Sequence, residues 1–144
     1  MKRSDAVLAY TILRLAMGVA MLFHGIARLD HIPAFVESTA KMFASSPLPA
    51  RAVRAFAGST SPVELLIGLL VTFGFATRLG LAAGGTWMIL LIFGCTLIEK
   101  YDAVGIQLIY SLIFYHLLTN IQFNDISLDR LFSKKPDATS PPSG

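Results

Sequence analysis

Hydrophobic positions run through this chain in long stretches, and the few polar breaks define its elements. Leu79 to Ile98 is a run of 20 residues without a charge, and Ala103 to Asn124 is another of 22. At about 1.5 Å per residue, either run as a helix crosses a hydrocarbon core of roughly 30 Å. Only Glu99-Lys100-Tyr101-Asp102 separates them, so the pair is expected as a tight antiparallel hairpin, with helices at about 79–98 and 103–123. A first apolar stretch, about 6–28, is equally long but contains Arg14. Another, about 61–77, is shorter and carries Pro62 and Glu64 near its start. Pro62 suits the first turn of a helix, where its missing N–H costs nothing, and a start near Phe56 would lengthen a segment that otherwise barely spans.

The connection from Leu29 to Ser59 follows a different pattern. Phe35, Met42, Phe43, Val53 and Phe56 alternate with Lys41, Arg51 and Arg54, and Pro47 and Pro49 divide it. Two short amphipathic pieces on the membrane face fit this pattern, acting either as a lid over a pocket or as a surface segment filling space between helices. The fold class is therefore an all-α integral membrane protein: a four-transmembrane-helix bundle with a long amphipathic loop between helices one and two. Residues 1–132 form the membrane domain. Residues 133–144, rich in Lys, Pro and Ser, are expected to be a solvated tail.

Composition supports this class and removes others. The 144 residues are 54% hydrophobic and 15% charged, whereas soluble domains average about one quarter charged. Disorder is excluded for most of the chain by the apolar majority. A disulfide framework is excluded because Cys95 is the only cysteine. The net charge of +3 suits contact with anionic headgroups, and no basic stripe interleaved with aromatics points to nucleic acid. An even number of spans puts both termini on one side. Lys2, Arg3, Arg78 and Arg130 lie nearest the helix ends there, which favours cytoplasmic termini. The alternative of a cleaved signal peptide is disfavoured, because Arg14 splits the apolar region and no small-x-small site follows His24 to Arg28.

Charge inside a span costs several kcal/mol unless paired or hydrated, so the exceptions carry the chemistry. Helical rise sorts them into two layers. His24, Arg28 and Glu64, with Asp102 nearby, fall near the face away from the termini and form a candidate ligand or quinone site. Arg14, Arg78 and His116 fall near the terminal face and form a candidate intramembrane polar layer, with Asp125 and Asp129 just below. Arg14 and His116 share a depth of about 10 Å by this reckoning. On the first helix, Arg14, Gly18, Met21, Gly25 and Arg28 lie on one stripe, which should face the bundle, its glycines allowing close helix approach. Gly68, Gly74, Gly84 and Gly85 could serve the same packing.

Each residue also has a plain packing explanation. Arg14 could pair with helix C-terminal carbonyls. Glu64 could be a helix-end charge bonded to Arg28. His116 could be a satisfied core histidine, and Trp87, Tyr101 and Tyr110 interfacial or packing aromatics. His24 and His116 differ by roughly 15 Å in depth, which speaks against a bis-histidine haem. No CxxC, HExxH or phosphate loop occurs, so no metal site or covalent cofactor is expected, and no inverted repeat suggests a transporter. Any chemistry would use a borrowed cofactor or a partner chain.

The ordered elements Arg14-Leu15, Phe23-His24-Gly25-Ile26-Ala27-Arg28-Leu29, Pro47-Leu48-Pro49, Pro62-Val63-Glu64-Leu65-Leu66-Ile67-Gly68, Phe75-Ala76-Thr77-Arg78 and Ser127-Leu128-Asp129-Arg130-Leu131 resemble the DoxX family of small bacterial membrane proteins. Arg28 stands where that family usually has Lys, with the charge kept. The resemblance implies a four-helix bundle in the bacterial plasma membrane with cytoplasmic termini. It also implies a tie to quinone-linked redox complexes, since the family takes its name from a subunit of a thiosulfate:quinone oxidoreductase. The expected role is thus a subunit or anchor of such a system, with quinone as a possible ligand and other subunits as partners. The alternatives are a non-catalytic assembly subunit and, least favoured, a small anion transporter.

Overall fold

The computed structural model describes residues 2–133. Among these residues the secondary structure is entirely helical: α1 (Arg3–Leu29), α2 (Ile32–Met42), α3 (Ala50–Phe73), α4 (Thr77–Leu97), α5 (Tyr101–Thr119), a 3₁₀ turn (Ile121–Phe123) and α6 (Leu128–Ser133). Four of them, α1, α3, α4 and α5, are long and apolar enough to cross a membrane. The protein is a multi-pass membrane protein whose apolar outer faces meet lipid. Of the expected tail, 133–144, Ser133 ends α6 and the rest lies outside the described residues.

The charge-free runs located α4 and α5 to within a few residues. The second span departs more from its expected limits. It does not begin near residue 61 or 56 but at Ala50, so Pro62 sits inside α3 rather than in its first turn. The second amphipathic piece of the long connection is therefore the opening of the same helix. Its buried positions show why: Val53, Ala57, Thr60, Ser61, Glu64, Ile67, Gly68 and Val71 form one continuous stripe at helical spacing, running through the proline. Only the first piece is a separate element, α2, with Pro33 in its first turn. It packs on α3.

The closest helix pair is α1 with α3. A Cβ built on Gly25 would lie 2.6 Å from the Leu65 backbone nitrogen, and one on Gly68 would strike the Leu22 backbone. These two helices thus touch main chain to main chain, a geometry only glycine permits. The buried stripe of α1 includes Arg14, Met17, Gly18, Met21 and Gly25, as the spacing predicts. The core around this seam holds Met17, Met21, Ile67, Val71, Leu81, Met88, Phe114 and Leu117. Of the four spans, α5 is the least enclosed, burying Phe114 and Leu117 and packing mainly on α4. The ion pair Arg3–Asp125 at 3.2 Å joins the start of α1 to the segment after α5, so both ends of the described chain lie at one end of the bundle.

Candidate functional site

At the opposite end the helices diverge around a cavity of about 520 Å³. Helices α1, α3, α4 and α5 form its walls, while Phe35, Thr39, Met42 and Phe43 from α2 and the following turn lie against it. The Phe43 ring reaches the α4 backbone at Gly94. Of the two roles open to the amphipathic connection, covering a pocket is the one this packing matches.

The lining is mostly apolar and aromatic, including Met21, Phe56, Met88 and Tyr110, a surface suited to a flat, greasy molecule. Its polar end is built by two helices in close register. Glu64 of α3 is buried, and its Oε2 accepts a hydrogen bond from the Arg28 guanidinium of α1. The Arg28 side chain keeps 31% of its surface exposed and the Glu64 side chain only 6%. Arg28 therefore stands at the rim while its partner lies within. The guanidinium also lies 5.2 Å from the centre of the Phe35 ring, a cation–π contact that ties the rim to α2.

His24, one turn before Arg28, also lines the cavity. Its Nδ1 lies 2.6 Å from the Ala20 carbonyl oxygen. A carbonyl can only accept, so Nδ1 carries the proton, and in the neutral ring Nε2 is an acceptor. The His24 ring meets Tyr110 of α5 edge to face at 6.3 Å. His24, Arg28 and Glu64, placed in one layer by helical rise, thus share one cavity.

Sequence reasoning passed over other residues here. Thr39 and Gln107 line the cavity, and Thr39 Oγ1 and Gln107 Oε1 are enclosed without hydrogen-bond partners among the described residues. Gln107 donates instead to Cys95 Sγ at 3.3 Å. Trp87 stacks on Phe56 at 4.8 Å, so the chain's single tryptophan is one ring removed from the cavity. Gln107 had a visible signal, an amide near the start of a charge-free run. Thr39 had none.

The other three candidates do not come together. Arg14 is 3% exposed and makes no ion pair among the described residues. Its Nη1 donates to the carbonyls of Val71 at 2.6 Å and Thr72 at 2.9 Å, and its Nη2 to that of Ile126 at 2.8 Å. This is the carbonyl-pairing role. The cation sits on the negative end of α3 and ties it to the chain after α5. Arg78 and His116 are exposed and neither bonds to Arg14. His116 instead borders a smaller cavity of about 210 Å³ beside Tyr10 and Asn120. Depth by helical rise put the three in one layer, but their azimuths differ.

Asp129 has a clear role at this end. The α3–α4 turn has Gly74 at φ 63° and, less comfortably, Ala76 at φ 46°, and Ala76 as N-cap offers no side-chain acceptor. Asp129 supplies one from 53 and 52 residues away, accepting from the Ala76 N–H at 2.6 Å and the Thr77 N–H at 2.8 Å. Its own N–H donates to the Gly74 carbonyl at 2.9 Å. Burial disfavours the ionised carboxyl, but hydrogen bonds from Thr77 and Ala76 and the charge of Arg14 outweigh it and hold Asp129 below its usual range.

A family model described as DoxX matches residues 9–97, well over half of the chain, from α1 through α4. The chain belongs to the DoxX family. The match includes His24, Arg28 and Glu64 and the whole of α2, whereas α5, with Gln107 and Tyr110, lies beyond it. Among curated proteins and solved structures nothing matches. Among the described residues no group of three His, Cys, Asp or Glu side chains is arranged to hold a metal.

Proposed function

We propose that this DoxX protein is a subunit of a bacterial quinone-linked redox system in the plasma membrane, and that its cavity holds the quinone. The observation that carries this reading is the pairing of a large, mostly apolar, aromatic-lined cavity with a compact polar end of His24, Arg28 and Glu64. The apolar walls suit a ring and the start of its tail. His24 and Glu64 can exchange protons with ring oxygens, and Arg28 can stabilise negative charge developing there. The arrangement supplies binding and proton handling. Electrons would pass to or from a partner chain.

The test is gentle detergent extraction, followed by identification of co-purifying chains and chromatography of bound lipids. Quinone retained by the wild type and lost from Glu64→Leu supports the reading. Equal retention by both, or none by the wild type, overturns it.

A second reading, a non-catalytic assembly subunit, draws on one observation. Arg28–Glu64 joins α1 to α3 along the seam closed by Gly25 and Gly68, so the pair could serve packing alone. A purified complex whose turnover is unchanged by Glu64→Gln favours it. Anion transport gains no such support, since Arg14 is committed to carbonyls and Arg28 to Glu64.

A further inference from the structure

The cavity reaches the surface of the bundle along two edges that differ in chemistry. Residues that both line it and remain exposed mark them: His24 and Ile106 on one side, Ala52, Leu90 and Phe93 on another. On α5, Ile106 lies one turn from Tyr110, and the Tyr110 ring meets His24 of α1. The first edge therefore runs between α1 and α5, with His24, Tyr110 and the Arg28–Glu64 pair beside it. On α4, Leu90 neighbours Trp87 and Gly94 at helical spacing. Trp87 stacks on Phe56 of α3, and Gly94 meets the Phe43 ring. The second edge therefore runs between α4 and the α2–α3 connection. Phe43, Leu48 and Ala52 line the cavity there opposite Leu90 and Phe93, and none of these side chains is polar. Across the end of the cavity lies α2, its Met42 Sδ 4.0 Å from Lys100 Nζ.

Depth and size give the second edge a use. Leu90 is seven residues inside the end of α4 at Leu97, about 10 Å by helical rise, so this edge opens among lipid chains rather than headgroups. A volume of about 520 Å³ is that of a pocket for one drug-sized molecule. A ring carrying a long hydrocarbon chain exceeds it, and the chain must leave. Leaving by the first edge would lay it across His24 and the Arg28–Glu64 pair and strip those groups of polar contact. The second edge meets it with apolar side chains throughout.

We infer that the cavity takes a quinone with a long apolar chain, its ring at His24 and Glu64 and its chain running out between α4 and the α2–α3 connection into the bilayer. This rests on the quinone-site reading above and adds the class of tail and its path. Lipid is as apolar as the protein groove, so the chain gains little by entering it, and its path shows in position and fit rather than in affinity.

The experiment uses the full chain in lipid nanodiscs. A benzoquinone with a long alkyl chain and a diazirine part-way along it is added and irradiated, with and without excess unlabelled long-chain quinone, and labelled peptides are identified by mass spectrometry. Label removed by the competitor should fall on residues 43–52 and 90–94. Competed label around His24 and Ile106 instead overturns the inference and leaves a quinone site in place. Ala52→Trp, at an exposed position, fills the second edge. It should weaken the long-chain quinone at least about tenfold more than a chainless benzoquinone, the cost of an overpacked contact. Equal weakening of the two, or a wild type that binds the chainless quinone and not the long-chain one, overturns the inference alone. If neither quinone binds the wild type, the inference and the quinone-site reading fall together.

Discussion

Two arginines on one face of α1, Arg14 and Arg28, meet opposite ends of the bundle, and the protein uses them differently. Arg14 is enclosed and bonded to three main-chain carbonyls, its Nε alone lacking a partner among the described residues. Arg28 is partly exposed, bonded to a buried carboxylate, and stands over an aromatic ring at the mouth of a large cavity. A charge satisfied by backbone locks helices together and has little left to offer a ligand. A charge balanced by another side chain at a cavity leaves its partner's second oxygen free. The terminal end is thus a fastening and the far end a site, although sequence presents the same residue type at both.

Arg14→Leu strands three carbonyls, at about 1–3 kcal/mol for each group left unsatisfied. Thermal melts in detergent should show severe loss of stability or failure to accumulate, and Arg14→Lys, which lacks the planar fork, should recover only part. At the other end, Glu64→Gln should cost far less stability, on the order of 1 kcal/mol because Arg28 can reach solvent, yet remove most of the quinone retained by the wild type. If Glu64→Gln proves as destabilising as Arg14→Leu, the two ends are alike and the contrast fails.

A smaller effect is expected at the fastening itself. Asp129→Asn should cost about 1 kcal/mol, as loss of a helix cap does. Because the folded carboxyl is held below its usual range, its contribution is present above the unfolded value of about 3.9 and disappears as pH falls through the lower folded value. The wild type should therefore lose this increment in acid while the Asn variant does not, as melts across pH 2 to 6 would show. Smallest of all, Ala76→Gly relieves a left-handed alanine and should stabilise by up to about 1 kcal/mol. A destabilised Gly variant would mean the turn needs the alanine side chain.

Much of the bundle was legible because lipid makes apolar length a direct signal. Charge-free runs found α4 and α5, and glycine spacing found the face of α1 that meets α3. The beginning of α3 was hidden because Arg51, Arg54 and Pro62 resemble the end of a span when only charge and proline are considered. The helical stripe Val53, Ala57, Thr60, Glu64 was present and extends across them. In the candidate site, helical rise grouped His24, Arg28 and Glu64, which are near in depth and line one cavity. It grouped Arg78 and His116 with Arg14 for the same reason and failed, since rise gives depth but not direction. The Asp129 cap was beyond reach, because its partners lie about 50 positions away and no local pattern announces them.

Pro62 has a kinetic consequence. With no N–H to give the Gly58 carbonyl, it removes one rung from α3 where the part beside α2 passes into the part packed on α1. The two halves of this helix are thus separable in local opening. Amide exchange should be faster at residues 51–61, beside the cavity's cover, than at 65–73, where α1 holds the backbone. One continuous helix would then combine a mobile half over the ligand with a slow half that keeps Glu64 in register.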